Sequence, residues 1–246
     1  MRARFTLDPL KLHKSNISMR YLFVLFLLVN TSLKAQSLKG AWQNTDKETT
    51  TTIIATDTYL TVNVYDLGGK KFIESWGGEY TIGATNEAFM EIEFHSQNPA
   101  VVNSSQSYNI SLKKKTLEFN DKKFQKLDFA KENALSGLWR IAARANEKGE
   151  MTEMKPGPRK TLKIMSGGYF QWFAINTQTR EFSGTGGGRY TLVNEKYTEK
   201  IEFFSRDNNR VGAELSFEAA VNGKEWTHSG KSSKGDLIKE IWTMQD

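Results

Sequence analysis

Three side chains in the last third of this 246-residue chain, Glu199, His228 and Glu240, have the types and spacing to act together. A carboxylate and an imidazole within hydrogen-bond reach make an acid–base pair. The same groups converging in an apolar pocket make a small-ligand site. In a closed core they make a polar network that ties strands together. Strand parity is what would unite them, because alternate side chains of a β-strand face opposite sides. Over residues 197–203 one face holds Tyr197, Glu199, Ile201 and Phe203, and the other holds Thr198, Lys200 and Glu202. The first is the core face, so Glu199 is expected to point inward. Ile238, Glu240, Trp242 and Met244 share a face of the last strand, which turns Glu240 inward as well. Trp226 and His228 share a face of the strand before it, and consecutive strands of a meander are neighbours, so His228 is expected close to Glu240. A buried carboxylate needs a partner or a proton, and a His or Tyr hydroxyl supplies one. The candidate ligand-binding set is Glu199, His228 and Glu240 with the rings Trp172, Tyr190, Tyr197, Trp226 and Trp242. Tyr169, Phe170, Phe173 and Phe203 add to a ring-rich second half, most of which is core filling.

Other chemistries find less support. The chain has no cysteine, which removes disulfides, thiolate metal sites and a Cys nucleophile. His95 and His228 belong to no short metal-binding motif, so no metal site and no cofactor is expected. The run Gly184-Thr185-Gly186-Gly187-Gly188 leads into a strand rather than a helix and lacks the Lys-Ser/Thr of a phosphate loop. A tight turn or β-bulge is the expectation there. No Gly-x-Ser-x-Gly elbow is present. An enzyme using Glu199, His228 and Glu240 as acid–base groups stays open as an alternative.

The elements that must position these residues come in two copies. Tyr59-Leu60 lies over Tyr169-Phe170, Phe72 over Phe182, Gly77-Gly78-Glu79-Tyr80-Thr81 over Gly187-Gly188-Arg189-Tyr190-Thr191, and Ile92-Glu93-Phe94 over Ile201-Glu202-Phe203 after a one-residue slip. A Gly-x-Trp precedes each copy, Gly40-Ala41-Trp42 and Gly137-Leu138-Trp139. A period of roughly a hundred residues is the size of a small domain, not of a solenoid repeat. Both copies read as short runs of β-formers separated by Asp, Asn, Gly and Ser groups, with Asn222-Gly223 as a hairpin signal. The fold expected is all-β: two tandem antiparallel up-and-down β-barrels of about eight or nine strands each, spanning residues 36–130 and 131–246. The link at residues 128–136 has room for a short helical turn. The longer early loop of the second copy, residues 147–160, is expected at one barrel end, where such loops form lids or binding edges.

In this alignment Glu199 falls on Met90 and Glu240 approximately on Lys126, and the first copy has no Trp226/His228 pair. The polar groups are thus confined to the second copy, although both carry the scaffold motifs.

Residues 1–35 read as an export signal, with Arg20 ahead of the apolar run 21–29 and a cut after Ala35. That run is short of the ~20 residues a membrane span needs, so no stable span is expected after cleavage. The location expected is exported, periplasmic or secreted. The net charge of +6 also belongs to this segment, since residues 1–35 hold six of the 34 Lys and Arg and one of the 28 acidic residues. The remainder is nearly balanced, which gives no support for nucleic-acid binding.

Gly-x-Trp followed by an antiparallel meander resembles the lipocalin and wider calycin superfamily. In the second copy, Gly186-Gly187-Gly188-Arg189-Tyr190-Thr191, Tyr197-Thr198-Glu199-Lys200-Ile201-Glu202-Phe203, Trp226-Thr227-His228-Ser229-Gly230 and Glu240-Ile241-Trp242 resemble an uncharacterised family of exported lipocalin-like domains of Gram-negative bacteria. The match spans residues 135–245, with a weaker, diverged copy at 38–128. The resemblance implies a barrel with an internal cavity for a small apolar or amphipathic ligand, and no assigned reaction. The basic residue that lipocalins often set on the last strand against the Gly-x-Trp tryptophan is missing at the end of the second copy. The alternative to a ligand carrier is an envelope protein-interaction or structural module with filled barrels.

Overall fold

Each Gly-x-Trp closes one end of a barrel by the same device. The Trp42 indole donates to the Leu38 carbonyl at 2.7 Å, and the Trp139 indole to the Leu135 carbonyl at 2.8 Å, four residues back in both cases. The glycines hold φ of +128° at Gly40 and +141° at Gly137, a region that disfavours side chains. A Cβ at Gly137 would lie 2.6 Å from the Met244 sulfur, and one at Gly40 would lie 3.1 Å from Lys126 Cε. The last strand can therefore cross the first only where the first has no side chain.

The computed structural model describes residues 37–232 and 235–245, so the export signal expected at residues 1–35 lies outside the described residues. Eight strands form the first barrel: β1 (Gly40–Asp46), β2 (Thr49–Ala55), β3 (Tyr59–Asp66), β4 (Lys71–Ile82), β5 (Glu87–His95), β6 (Ser105–Lys113), β7 (Thr116–Phe119) and β8 (Lys122–Leu127). Each pairs antiparallel with the next, and β8 returns to β1. The second barrel has nine strands: β9 (Gly137–Ala145), β10 (Met151–Glu153), β11 (Arg159–Ser166), β12 (Tyr169–Asn176), β13 (Glu181–Val193), β14 (Lys196–Phe204), β15 (Glu214–Asn222), β16 (Glu225–Lys231) and β17 (Leu237–Gln245). Pairing of β17 with β9 closes it, while β10 folds back on the far end of β9 outside the main circuit. Both are closed antiparallel up-and-down barrels. The hairpin expected at Asn222-Gly223 forms one residue later. Asn222 pairs with Glu225, and Gly223, at φ +59°, opens the two-residue loop. The link between barrels carries a turn and no helix, contrary to the expectation from sequence.

The paired glycines mark a bulge in both copies. Gly78 pairs with Ile92 and Gly77 with Phe94, which leaves Glu93 as the extra residue. Gly188 pairs with Ile201 and Gly187 with Phe203, which leaves Glu202 extra. The backbones approach so closely here that a Cβ at Gly188 would fall 2.1 Å from the Lys200 carbonyl oxygen. Beyond the bulge the parity of β14 is reversed.

The barrels pack through equivalent faces. Ile54, Tyr59 and Phe94 meet Leu162, Ile164, Tyr169, Phe173 and Ile175 in one buried cluster. The contact of β4 with β14 has a counterpart in that of β5 with β13, as in an isologous dimer interface. Both bulge carboxylates lie on this face. Glu93 accepts from the Tyr59 hydroxyl at 2.7 Å and pairs with Lys160, and Glu202 accepts from the Tyr65 hydroxyl at 3.0 Å and from Arg189 at 2.7 Å. The buried amide of Gln171 bonds to Asn63, Ser75 and Thr185 at 2.9–3.0 Å, which satisfies both of its ends. Inside the first barrel, Trp42, Ile53, Met90, Leu117, Phe119 and Phe124 belong to one continuous apolar core.

Candidate functional site

The second barrel is hollow at one end. A cavity of about 720 Å³ opens where β9 ends and β11 begins. Apolar side chains make part of its wall, with Trp172 and Ala174 from β12, Ile201 and Phe204 from β14, and Trp242 from β17 among them. Inward parity places them, since Trp172 and Ala174 alternate along β12 with Gln171, Phe173 and Ile175, which face the first barrel. The extra segment of the second copy does lie at this end. Met154, Lys155, Arg159 and Lys160 border the opening.

Two ion pairs reach this interior, one buried on both sides and one whose arginine is exposed. The Lys163 ammonium lies 2.9 Å from Glu199 Oε1, and both side chains are almost fully buried. The same carboxylate oxygen accepts from the Tyr197 hydroxyl at 2.7 Å. Four rings enclose the ammonium, Phe170, Tyr197, Trp226 and Trp242, with centroids 5.0 to 5.7 Å away. Their negative faces replace part of its lost hydration, and the carboxylate supplies the countercharge a buried ion needs. Glu240 forms the second pair. Arg144 Nε donates to Oε1 at 2.8 Å, and the Trp242 indole donates to Oε2 at 3.1 Å.

His228 sits opposite Glu240 in the β16–β17 ladder, with Nε2 3.0 Å from Oε2, and its ring stacks on Phe217 at 4.8 Å. Burial lowers the imidazole below its ordinary value, against the pull of Glu240, so it is neutral at pH 7. Burial alone would raise the Glu240 carboxyl, but His228, Arg144 and Lys163 outweigh it and bring it down to about 2. Nε2 faces the Glu240 carboxylate without the alignment of a hydrogen bond, and both ring nitrogens are buried with no hydrogen-bond partner among the described residues.

Five of the eight residues proposed from sequence border the cavity: Trp172, Glu199, His228, Glu240 and Trp242. Tyr190, Tyr197 and Trp226 do not. They lie in the packed core beneath it, Tyr197 and Trp226 in the cage around Lys163. Phe203, expected on the inward face, lies on the barrel–barrel face with its ring 4.9 Å from Tyr65, because the bulge at Glu202 reverses the parity. Glu240 was aligned with Lys126, but the register assigns otherwise. Lys126 pairs with Trp42 and Met244 with Trp139, so Glu240 corresponds to Lys122. The Lys126 ammonium lies 5.3 Å above the Trp42 ring, so the basic residue missing from the second barrel is present in the first. Two charged residues were missed, Lys163 and Arg144. The available signal was a lysine between Leu162 and Ile164 in an otherwise apolar strand.

Residues 134–244 match the family described as Domain of unknown function (DUF4488). Two solved structures show likeness: a lipocalin-like protein from Bacteroides uniformis, 13% identical, covering 46% of this chain and 100% of that one with a TM-score of 0.34, and an uncharacterized protein from Bacteroides eggerthii, 13% identical, covering 45% and 98% with a TM-score of 0.33. No curated protein matches the chain. Among the described residues, no helix is long and apolar enough to cross a membrane. The second barrel is thus similar to that family of unknown function.

Proposed function

We propose that this is an exported binding protein whose second barrel takes up a small apolar or amphipathic molecule, with the first barrel as its scaffold. One observation carries the reading. The second barrel encloses about 720 Å³ at positions like those the first fills with side chains. That volume falls within the ~300–1,000 Å³ of ordinary small-molecule sites. The His228 ring supports the same reading, because neither buried nitrogen has a hydrogen-bond partner among the described residues, and a ligand polar group gains a bond at such an atom. The alternative of a module with filled barrels needs a second barrel without this space. Export rests on the N-terminal pattern alone.

Titration with the neutral fluorophore N-phenyl-1-naphthylamine tests the reading. Saturable binding at one site per chain is expected, weakened at least tenfold by Ala174→Trp, which fills the cavity from its wall. Absence of any saturable binding would contradict it, as would binding indifferent to that substitution.

A further inference from the structure

We propose that the ligand of the second barrel carries an anionic group, held at the barrel mouth while its apolar body lies along the walls below. This deepens the reading of the cavity as a ligand site and rests on it. The side chains bordering the cavity include eight Lys or Arg and two carboxylates. Both carboxylates are matched from within, Glu199 by Lys163 and Glu240 by Arg144. Two more cations are satisfied from outside the cavity, Lys160 by Glu93 of the first barrel and Arg210 by Asp207.

Four cations then remain without a carboxylate among the described residues: Arg140, Lys155, Arg159 and Arg206. Arg140 donates to the Gly157 carbonyl at 3.1 Å and Arg206 to the Ser183 carbonyl at 2.8 Å, bonds that orient a guanidinium without neutralising it. Lys155 and Arg159 have no partner among the described residues. These four come from three separate parts of the chain and border one opening.

This excess is local. Once residues 1–35 are set aside, the chain holds 28 basic and 27 acidic side chains. A generally basic surface therefore does not explain four unmatched cations around one concavity. Unmatched charge about a cleft with low-dielectric walls focuses its field on whatever enters. Guanidinium groups suit the flat, forked geometry of a carboxylate, sulfate or phosphate.

The walls decide the rest of the ligand. Ile141, Ala174, Ile201, Leu215 and Phe217 offer aliphatic and aromatic surface. An inorganic anion would leave that surface wet, whereas an amphiphile covers it. The charges deeper in are already paired, so the anionic group belongs at the mouth and not at the floor.

The experiment uses the intact two-barrel protein. Decanoate, methyl decanoate and decylammonium compete for bound N-phenyl-1-naphthylamine at pH 7.5 and low salt. Decanoate is expected to bind at least tenfold more tightly than the ester, with decylammonium weakest. The preference should shrink several-fold at high salt, since exposed charges are screened. Substituting Lys155→Gln and Arg159→Gln together should lower the decanoate-to-ester ratio about fivefold. If the ester and decylammonium compete as well as decanoate, or if decanoate fails to displace the bound probe, the anionic ligand is overturned while the cavity reading stands. An unchanged ratio in the double variant overturns it too. If the probe itself never binds, the cavity reading fails with it.

Discussion

Where the second barrel sets Lys163 opposite Trp139, the first sets Ile53 opposite Trp42. Where Glu199 pairs with Tyr190, Met90 pairs with Tyr80. Where His228 faces Glu240, Phe119 faces Lys122. Ile53, Met90 and Phe119 all lie in the first barrel's apolar core. The two barrels keep one frame, the Trp plug at one end and the bulge of β5 and β14 opposite paired glycines, and they differ in what the frame encloses. An eight-stranded barrel of this kind can be filled by apolar side chains alone. Closure of the fold therefore does not account for the ions of the second barrel. They are costly to bury, and they sit at the floor of the second barrel's cavity.

The largest effect should come from breaking a pair. Glu199→Ala leaves the Lys163 ammonium buried without its carboxylate and should cost about 3–5 kcal/mol in chemical denaturation. Giving the second barrel the first barrel's residues, Lys163→Ile with Glu199→Met, should recover most of that loss and come within about 1 kcal/mol of the parent or exceed it. A double variant as unstable as the single one would mean that the pair does structural work apolar residues cannot do.

Acid separates the barrels next. The folded-state value of Glu240, about 2, lies below its ordinary 4.5, so its contribution is present above pH 4.5 and lost as pH falls toward 2. His228 is lowered from 6.5 by burial, so the unfolded chain takes up its proton first and stability falls as pH drops below 6.5. Both signs agree, and the Glu240 part is on the order of 3 kcal/mol. Hydrogen exchange from pH 7 to pH 4 should show β16 and β17 losing protection before β1 and β2. Equal loss in both barrels would contradict this.

The smallest effect tests the tryptophan plug. Lys126→Met copies the second barrel into the first, and Met244→Lys does the reverse. The Trp42 indole is buried and Lys126 half-buried, so the pair is worth about 1–2 kcal/mol, and each exchange should change stability by no more than that.

The doubling, the barrels and the meeting of His228 with Glu240 were legible because they follow from period and parity. Two features were not. Parity gives inside or outside, not height along the barrel axis, so Tyr190, Tyr197 and Trp226 read as cavity residues although they lie in the packed core beneath it. Parity also fails across a bulge, which sent Phe203 to the barrel interface. Lys163 escaped notice because a lysine in a strand is ordinarily at the surface, and here it is stabilised by a carboxylate 36 residues away in sequence.

The comparison is tested most directly by locating a bound probe. A crystal of the protein soaked with a brominated apolar compound reports position through the bromine's anomalous signal. The account predicts one bromine inside the second barrel, near Trp172 and Trp242, and none inside the first. Bromine within the first barrel, or only on the outer surface, would contradict it.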